Sequence, residues 1–302
     1  MNTEANRKTE WVVGIGEALW DILPEGRKIG GAPANFAYHM SQFGLRSCAV
    51  SAVGDDEAGR ELRNQLREKG VGHMLETVPF PTGTVEVTLD GAGIPSYEIR
   101  QGVAWDNIPF TPQIEELARH TRAACFGSLA QRSPVSHRTI GRFLETMPDG
   151  EGQYKVFDIN LRQHFYTQQV VEESLRKCNI LKINDEELAV VGSMFGLEGM
   201  QPGEQCRTLL DRYGLRIVIH LRRRREFGIR PRHPVIYPHA ARRSSRHGRC
   251  RGLVHGIVPG RPALGARHRG STQAGRGCRG PRLLAARRHA PAAGTVYRSA
   301  AQ

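Results

Sequence analysis

What this 302-residue chain lacks narrows it first. It has no run of about 18 apolar residues, the minimum for a membrane-spanning helix. The start, MNTEANRKTEW, has no apolar stretch of the kind a secretory leader needs, so a cytoplasmic protein is expected. Six cysteines (Cys48, Cys125, Cys178, Cys206, Cys250 and Cys278) are scattered with no Cys-x-x-Cys pair. That usage predicts reduced, mostly buried thiols rather than a disulfide framework. GIGEA (14–18) has too few glycines for a dinucleotide-binding fingerprint. Lysine and acids run out toward the end. No lysine follows Lys182, and residues 220–302 hold 20 arginines against one acid, Glu226. The net charge of +13 therefore belongs to the tail, and the rest of the chain is mildly acidic.

After a polar N-terminal segment (1–10), residues 11–219 read as repeated strand–helix units. WVVGIGEAL (11–19) is an apolar run of strand length, and GGAPANFAYHMSQFG follows it as a helix. Pro33 sits in the first helical turn, and Phe36, Ala37, Met40 and Phe43 fall on one helical face. SCAVSAVG (47–54) predicts a buried strand. DDEAGRELRNQLREKG then supplies an acidic first turn, Leu62 and Leu66 at i, i+4, and a terminal Gly70. TVEVTLD (84–90) and SYEIRQ (96–101) alternate instead, with GAGIP between them, and predict a half-exposed hairpin. CFGSL, YKVFDIN, NILKIN and LRIVI continue as short strands. Alternating strands and helices predict an α/β fold with a doubly wound, mostly parallel sheet, the hairpin being an insertion over one end.

Four constellations sit where such strands end, the side on which open α/β sheets bind ligands. GGAPAN (30–35) combines Gly30 and Gly31, which admit close approach of a ligand, with a helix N-terminus and with Asn35 in its first turn. A plain turn has the same sequence signature. EALWDILPEG (17–26) puts Asp21 at the end of the first strand. FDINLR (157–162) has Asp158, Asn160 and Arg162 alternating with apolar residues, hence on one face, as a ligand site or as a capping and salt-bridge cluster. In KINDEEL (182–188), Asn184 and Glu187 are three apart and meet if a helix starts there; a capping box reads the same way.

Together these segments resemble the ribokinase/PfkB family of carbohydrate kinases, in a fructokinase-like form. The resemblance rests on GEALWDILPEG, IGGAPANFAYH, SAVGDDEAGREL, FGSLAQRS, FDINLRQHFY and ILKINDEEL, in family order across residues 11–219. It implies a ribokinase-like fold with a small β lid containing the hairpin at 84–101. It also implies transfer of the γ-phosphoryl of ATP, with Mg²⁺, to a sugar hydroxyl, fructose first among candidates, and a homodimer formed through the lid. By the same resemblance Asp21, Gly30, Gly31 and Asn35 would hold sugar hydroxyls. Asn160 and Arg162 would lie near the transferred group, and Asn184 and Glu187 would help position Mg²⁺ and phosphate. Positioning and electrostatics are most of what phosphoryl transfer asks of a protein.

The same family ends in an Asp-Thr-x-Gly-Ala-Gly-Asp motif whose last aspartate is the general base and whose glycines receive developing negative charge. That motif is absent from this chain. RHGRCRGLVHG (246–256) nevertheless admits synonymous codons that, read one base later, spell Asp-Thr-Val-Gly-Ala-Gly-Asp-Ser-Phe-Thr. One surplus base (or two missing) near the codons for 218–220 would produce both this and the abrupt lysine-free, arginine-rich composition. Residues 220–302 are therefore expected to be an out-of-frame, disordered tail without a recognisable fold. The edge of the LRIVI strand is then expected to lie open, and the ATP site and the general base to be missing. The alternative is a non-catalytic protein that binds nucleic acid through a genuine arginine-rich tail, with salt-dependent affinity. Few aromatics are interleaved for base stacking, and no recognition helix is visible. Cys250, His255, His268 and Cys278 lack the ligand spacing of a zinc site.

Overall fold

The computed structural model describes residues 10–23, 26–89, 95–222 and 293–298. Its main sheet is built from β1 (Trp11–Ile15), β4 (Ser47–Gly54), β5 (Gly72–Val78), β8 (Thr121–Phe126), β9 (Tyr154–Asp158), β10 (Ile180–Asn184), β11 (Ile217–Arg222) and β12 (Ala293–Arg298). The spatial order is β12-β11-β10-β9-β8-β1-β4-β5. The pairings from β5 to β11 are all parallel, while β12 runs antiparallel on β11. Helices α1 (Ala32–Gln42), α2 (Glu57–Glu68), α3 (Pro112–Arg119), α4 (Pro134–Thr146), α5 (Gln168–Lys177), α6 (Asp185–Met194) and α7 (Pro202–Tyr213) connect the strands. The expected doubly wound architecture is therefore present. β4 is buried at every position, as a strand covered on both faces must be.

A second, four-stranded sheet lies over the strand ends: β2 (Leu19–Leu23), β3 (Gly26–Gly30), β6 (Thr84–Leu89) and β7 (Pro95–Ile99), in the order β3-β2-β6-β7. The expected 84–101 hairpin is β6–β7. Alternation in the sequence marks only this half of the lid. The other half is the β2–β3 hairpin, concealed because LWDIL continues the apolar run of β1. Asp21 consequently belongs to the lid, in the middle of β2, and not to the end of the first strand.

Helix α1 is buried through its small residues. Pro33, Ala34 and Ala37 are buried, whereas Phe43 is 78% exposed. The cause is close approach to β1. A Cβ on Gly14 would lie 1.9 Å from the Pro33 carbonyl oxygen, so the helix packs through small residues and its large ones are turned aside. In α2, Leu62 and Leu66 are buried as expected, and the Asp56 carboxylate caps the helix by accepting from the Gly59 N–H at 2.7 Å.

The C-terminal boundary also shifts. β11 continues past Ile219 to Arg222, with His220 fully buried, and β12 adds a strand within the segment read as having no fold. GTVY supplies β-formers there, and β12 pairs the β11 edge that was expected to lie open. Residues 223–292, with the out-of-frame motif, the nucleic-acid alternative and the Cys/His set, lie outside the described residues. Among the described residues Cys48, Cys125, Cys178 and Cys206 are free and buried, and no helix is long and apolar enough to cross a membrane.

Candidate active site

Between the lid and the ends of β1 and β9 lies a cavity of about 290 Å³. Its polar lining comes from Glu17, Asp21, Asn35, Asn160 and Arg162, and Leu19, Val85, Ile99 and Leu129 supply apolar walls. Each polar group arrives by a different route. Glu17 follows β1. Asp21 comes down from β2, and Asn35 stands in the first turn of α1. Asn160 and Arg162 belong to the loop after β9.

The Gly30–Gly31 turn joins the lid to α1. Gly31 has φ +100°, and a Cβ there would meet the Glu17 carbonyl oxygen at 2.2 Å, so only glycine lets the backbone pass. Gly31 lines the cavity. Gly30 lies against Asp21, whose carboxylate would be 2.6 Å from a Cβ at that position. Burial raises the Asp21 pKa, and the Arg162 guanidinium opposes that shift.

The loop after β9 reaches the cavity otherwise than by strand alternation. β9 ends at Asp158, and Asn160 adopts φ +43°, a left-handed conformation that asparagine tolerates better than most residues. The turn brings Asn160 and Arg162 to the cavity, while Asp158 takes an ion pair with Lys182 at 2.6 Å. The lid is tied to this loop by Arg132. Its guanidinium binds Asp106 through Nε at 2.8 Å and Nη2 at 2.9 Å and donates to the Arg100 carbonyl after β7. It also lies 4.1 Å from the Trp105 ring and 4.6 Å from Phe165, on the loop that carries Arg162. Nothing in the spacing of FGSLAQRS singles out this clamp.

Asn184 and Glu187 stand at the end of β10 as a capping box of α6. The Glu187 N–H donates to Asn184 Oδ1, and the Asn184 N–H donates to Glu187 Oε2, both at 2.9 Å. They do not line the cavity. Burial raises the Glu187 pKa, with Asp158 acting in the same direction and Lys182 and Arg162 against it, so these four charges share one neighbourhood. Among the described residues no group of three or more His, Cys, Asp or Glu is placed to hold a metal ion. Mg²⁺ bound with nucleotide needs only one or two carboxylates, with water and phosphate completing its shell. Glu187 and Asp158 are carboxylates of that kind at the strand ends.

Glu17 had no place among the expected site residues. It is 1% exposed; one carboxylate oxygen accepts from the Ala32 N–H at 3.2 Å, and the other has no hydrogen-bond partner. An acid directly after an apolar strand, in GIGEA, was the available signal.

Comparison with known proteins agrees with this geometry. The family model described as pfkB family carbohydrate kinase matches residues 25–201. A fructokinase of Klebsiella pneumoniae is 30% identical over 197 residues, covering 60% of this chain and 62% of that protein. The crystal structure of an uncharacterized sugar kinase from Pyrococcus horikoshii superposes with TM-score 0.55 at 27% identity, covering 62% of this chain and 67% of that one. A fructokinase from Xylella fastidiosa shares the fold at TM-score 0.59 and 18% identity, covering 71% of this chain and 70% of that one. The chain thus spans less than two thirds of the length of the Klebsiella relative. With more than half of its residues matched by the family model, and with the lid, the glycine turn and the strand-end cavity in one arrangement, the chain belongs to the pfkB family of carbohydrate kinases.

Proposed function

We propose that the described part of the chain is the sugar-binding half of an ATP-dependent kinase that phosphorylates a sugar hydroxyl, with fructose as the first substrate to test. The observation that carries this reading is the convergence of Asp21, Gly31, Asn35, Asn160 and Arg162 on one lidded cavity. Carboxylate and amide groups suit hydroxyl recognition, and apolar walls suit the carbon face of a sugar.

In the reaction a sugar hydroxyl oxygen bonds to the γ-phosphorus as the bond to the β–γ bridging oxygen breaks, releasing ADP. The hydroxyl proton passes to a base. Asp21 and Asn35 would orient the hydroxyls, Gly30 and Gly31 would let the sugar approach the backbone, and Arg162 with Asn160 would meet charge on the transferred group. Glu187 and Asn184 would help position Mg²⁺ and phosphate at the end of β10. ATP and Mg²⁺ supply the activated phosphoryl group and the neutralisation of its charge. A lid-mediated homodimer and a cytoplasmic location belong to this same reading.

The chain as written should not complete the reaction, because its sequence holds no Asp-Thr-x-Gly-Ala-Gly-Asp motif. Loss of a general base alone costs about 10²–10⁴ in rate. The test is a coupled ADP-release assay with fructose on two chains. One is the 302-residue chain; the other has one base deleted near the codons for 218–220, which restores the motif. Activity confined to the second supports the reading, and turnover by the first would refute the claim that it is inactive.

A further inference from the structure

Glu17 carries an inference beyond the sugar pocket as a family feature, although it rests on the reading of that cavity as a sugar site. Its side chain is almost wholly enclosed, yet only one oxygen is used, on the Ala32 N–H. The second oxygen, Oε2, is buried without a partner, and Glu17 is one of the residues that line the cavity together with Asp21, Asn35, Asn160 and Arg162. Folds seldom leave a buried oxygen unsatisfied, because nothing then replaces the hydration it has lost, and the loss is greater for a charged one. A hydroxyl entering the cavity would provide the missing donor. The formal charges on the cavity wall are two carboxylates, Glu17 and Asp21, against the single guanidinium of Arg162. An anionic sugar would enter against that balance.

We infer that Glu17 is a specificity-determining substrate residue: Oε2 accepts a hydrogen bond from a hydroxyl of a neutral sugar, and the carboxylate turns away sugars that carry a carboxylate or phosphate. The electrostatics of the group agree. Burial pushes its pKa up to about 7, with Asp158 acting in the same direction and its own backbone N–H, the Ala32 N–H and Arg162 against it. The charged and titratable groups facing it are Asp21 on β2, Cys125 on β8, Asp158 on β9 and Arg162 on the following loop. A hydroxyl donated to Oε2 favours the ionised form, so binding of a neutral sugar near pH 7 should expel a proton.

The test is titration calorimetry of the full chain with fructose and with gluconate at pH 7, in two buffers of different ionisation enthalpy. The wild type is expected to prefer fructose and to release protons on binding it. Glu17→Gln keeps an amide oxygen for the Ala32 N–H and removes only the acceptor at Oε2. It should bind fructose at least tenfold more weakly, narrow the fructose-to-gluconate ratio and abolish the buffer dependence. A Gln variant with the wild-type ratio would overturn the inference while leaving the sugar site standing. Absence of proton release from the wild type would overturn it too, and needs no variant. If the wild type binds neither compound, the sugar-site reading fails and the role of Glu17 falls with it.

Discussion

The main sheet and the lid are made by one chain under opposite rules. In β4 every residue of SCAVSAVG is buried, and β1 is buried from Val12 to Ile15. In the lid, GRKIG of β3 exposes its first three residues, and β2 buries Leu19 and Trp20 but leaves Ile22 37% exposed. The main sheet is clamped by helices on both faces. The lid is held through one face only, where Leu19, Val85 and Ile99 join the core of the main sheet, and by two polar anchors: Trp20, whose Nε1–H donates to the Ala58 carbonyl at 3.0 Å, and the Arg132 clamp at the root of β7. A site between them has one wall on a sheet buried on both faces and another on a sheet buried on its inner face alone. That division suits a pocket that must admit a ligand and then exclude water.

The contrast can be broken most forcefully in the main sheet. Phe157 is fully buried on β9 and stacks on Phe126 with ring centroids 5.2 Å apart. Phe157→Ala should cost about 3–5 kcal/mol, read as a fall in the urea midpoint. If that loss were under about 1 kcal/mol, the main sheet would not be the rigid partner.

The floor of the cavity gives the next effect, and its sign is unusual. In the unfolded chain Glu17 titrates near 4.5, and in the fold near 7. Between those values the folded chain holds a proton that the unfolded chain releases, so stability falls as pH rises through this window. Glu17→Gln should match the wild type below about pH 4.5 and be more stable by up to about 3 kcal/mol above pH 8. Denaturant melts at pH 4 and pH 8 decide it; an equal gain at both would show that the charge is not the cause.

Asp21 sharpens the comparison from the lid side. Its removal should leave folding nearly untouched, because burial already disfavours its charge. Asp21→Ala should weaken fructose binding by roughly 10–100-fold, the worth of a hydrogen bond to a charged group. Calorimetry alongside a thermal melt separates the two readouts, and unchanged affinity would remove Asp21 from the site.

The smallest effect is expected on the lid exterior. The Arg100–Glu86 pair, 2.6 Å apart, is 60% and 41% exposed at its two side chains. Glu86→Gln should change stability by less than about 1 kcal/mol, and less again in high salt. A larger loss would mean that the lid surface is energetically tighter than its exposure implies.

Much of this was legible in the chain. Continuous apolar runs between helical segments announced the parallel sheet, and alternation in TVEVTLD and SYEIRQ announced the lid hairpin. Asn35 and Arg162, which short motifs at strand ends single out by their chemistry, both line the cavity. The misses have physical causes. The β2–β3 hairpin was concealed by an apolar run that spans two strands, so Asp21 was assigned to the wrong sheet. The exposure of Phe43, just after α1, does not follow from helical periodicity, because the close approach at Gly14 selects Pro33, Ala34 and Ala37 for burial. Asn160 reaches the cavity through a left-handed turn that alternation does not foresee.

The sequence by itself determined the fold class, the position of the glycine turn, the pairing of Asn184 with Glu187 across one helical turn and the break in composition after Ile219. These depend on local pattern and on residue chemistry, which need no partner to be read. Only the tertiary structure decided which polar groups share a cavity, that Glu17 is among them with one oxygen unsatisfied, and that the Asn184–Glu187 pair closes as the capping box of α6. Those outcomes depend on strands far apart in the chain meeting at one end of a sheet, where burial sets the charge a carboxyl can hold.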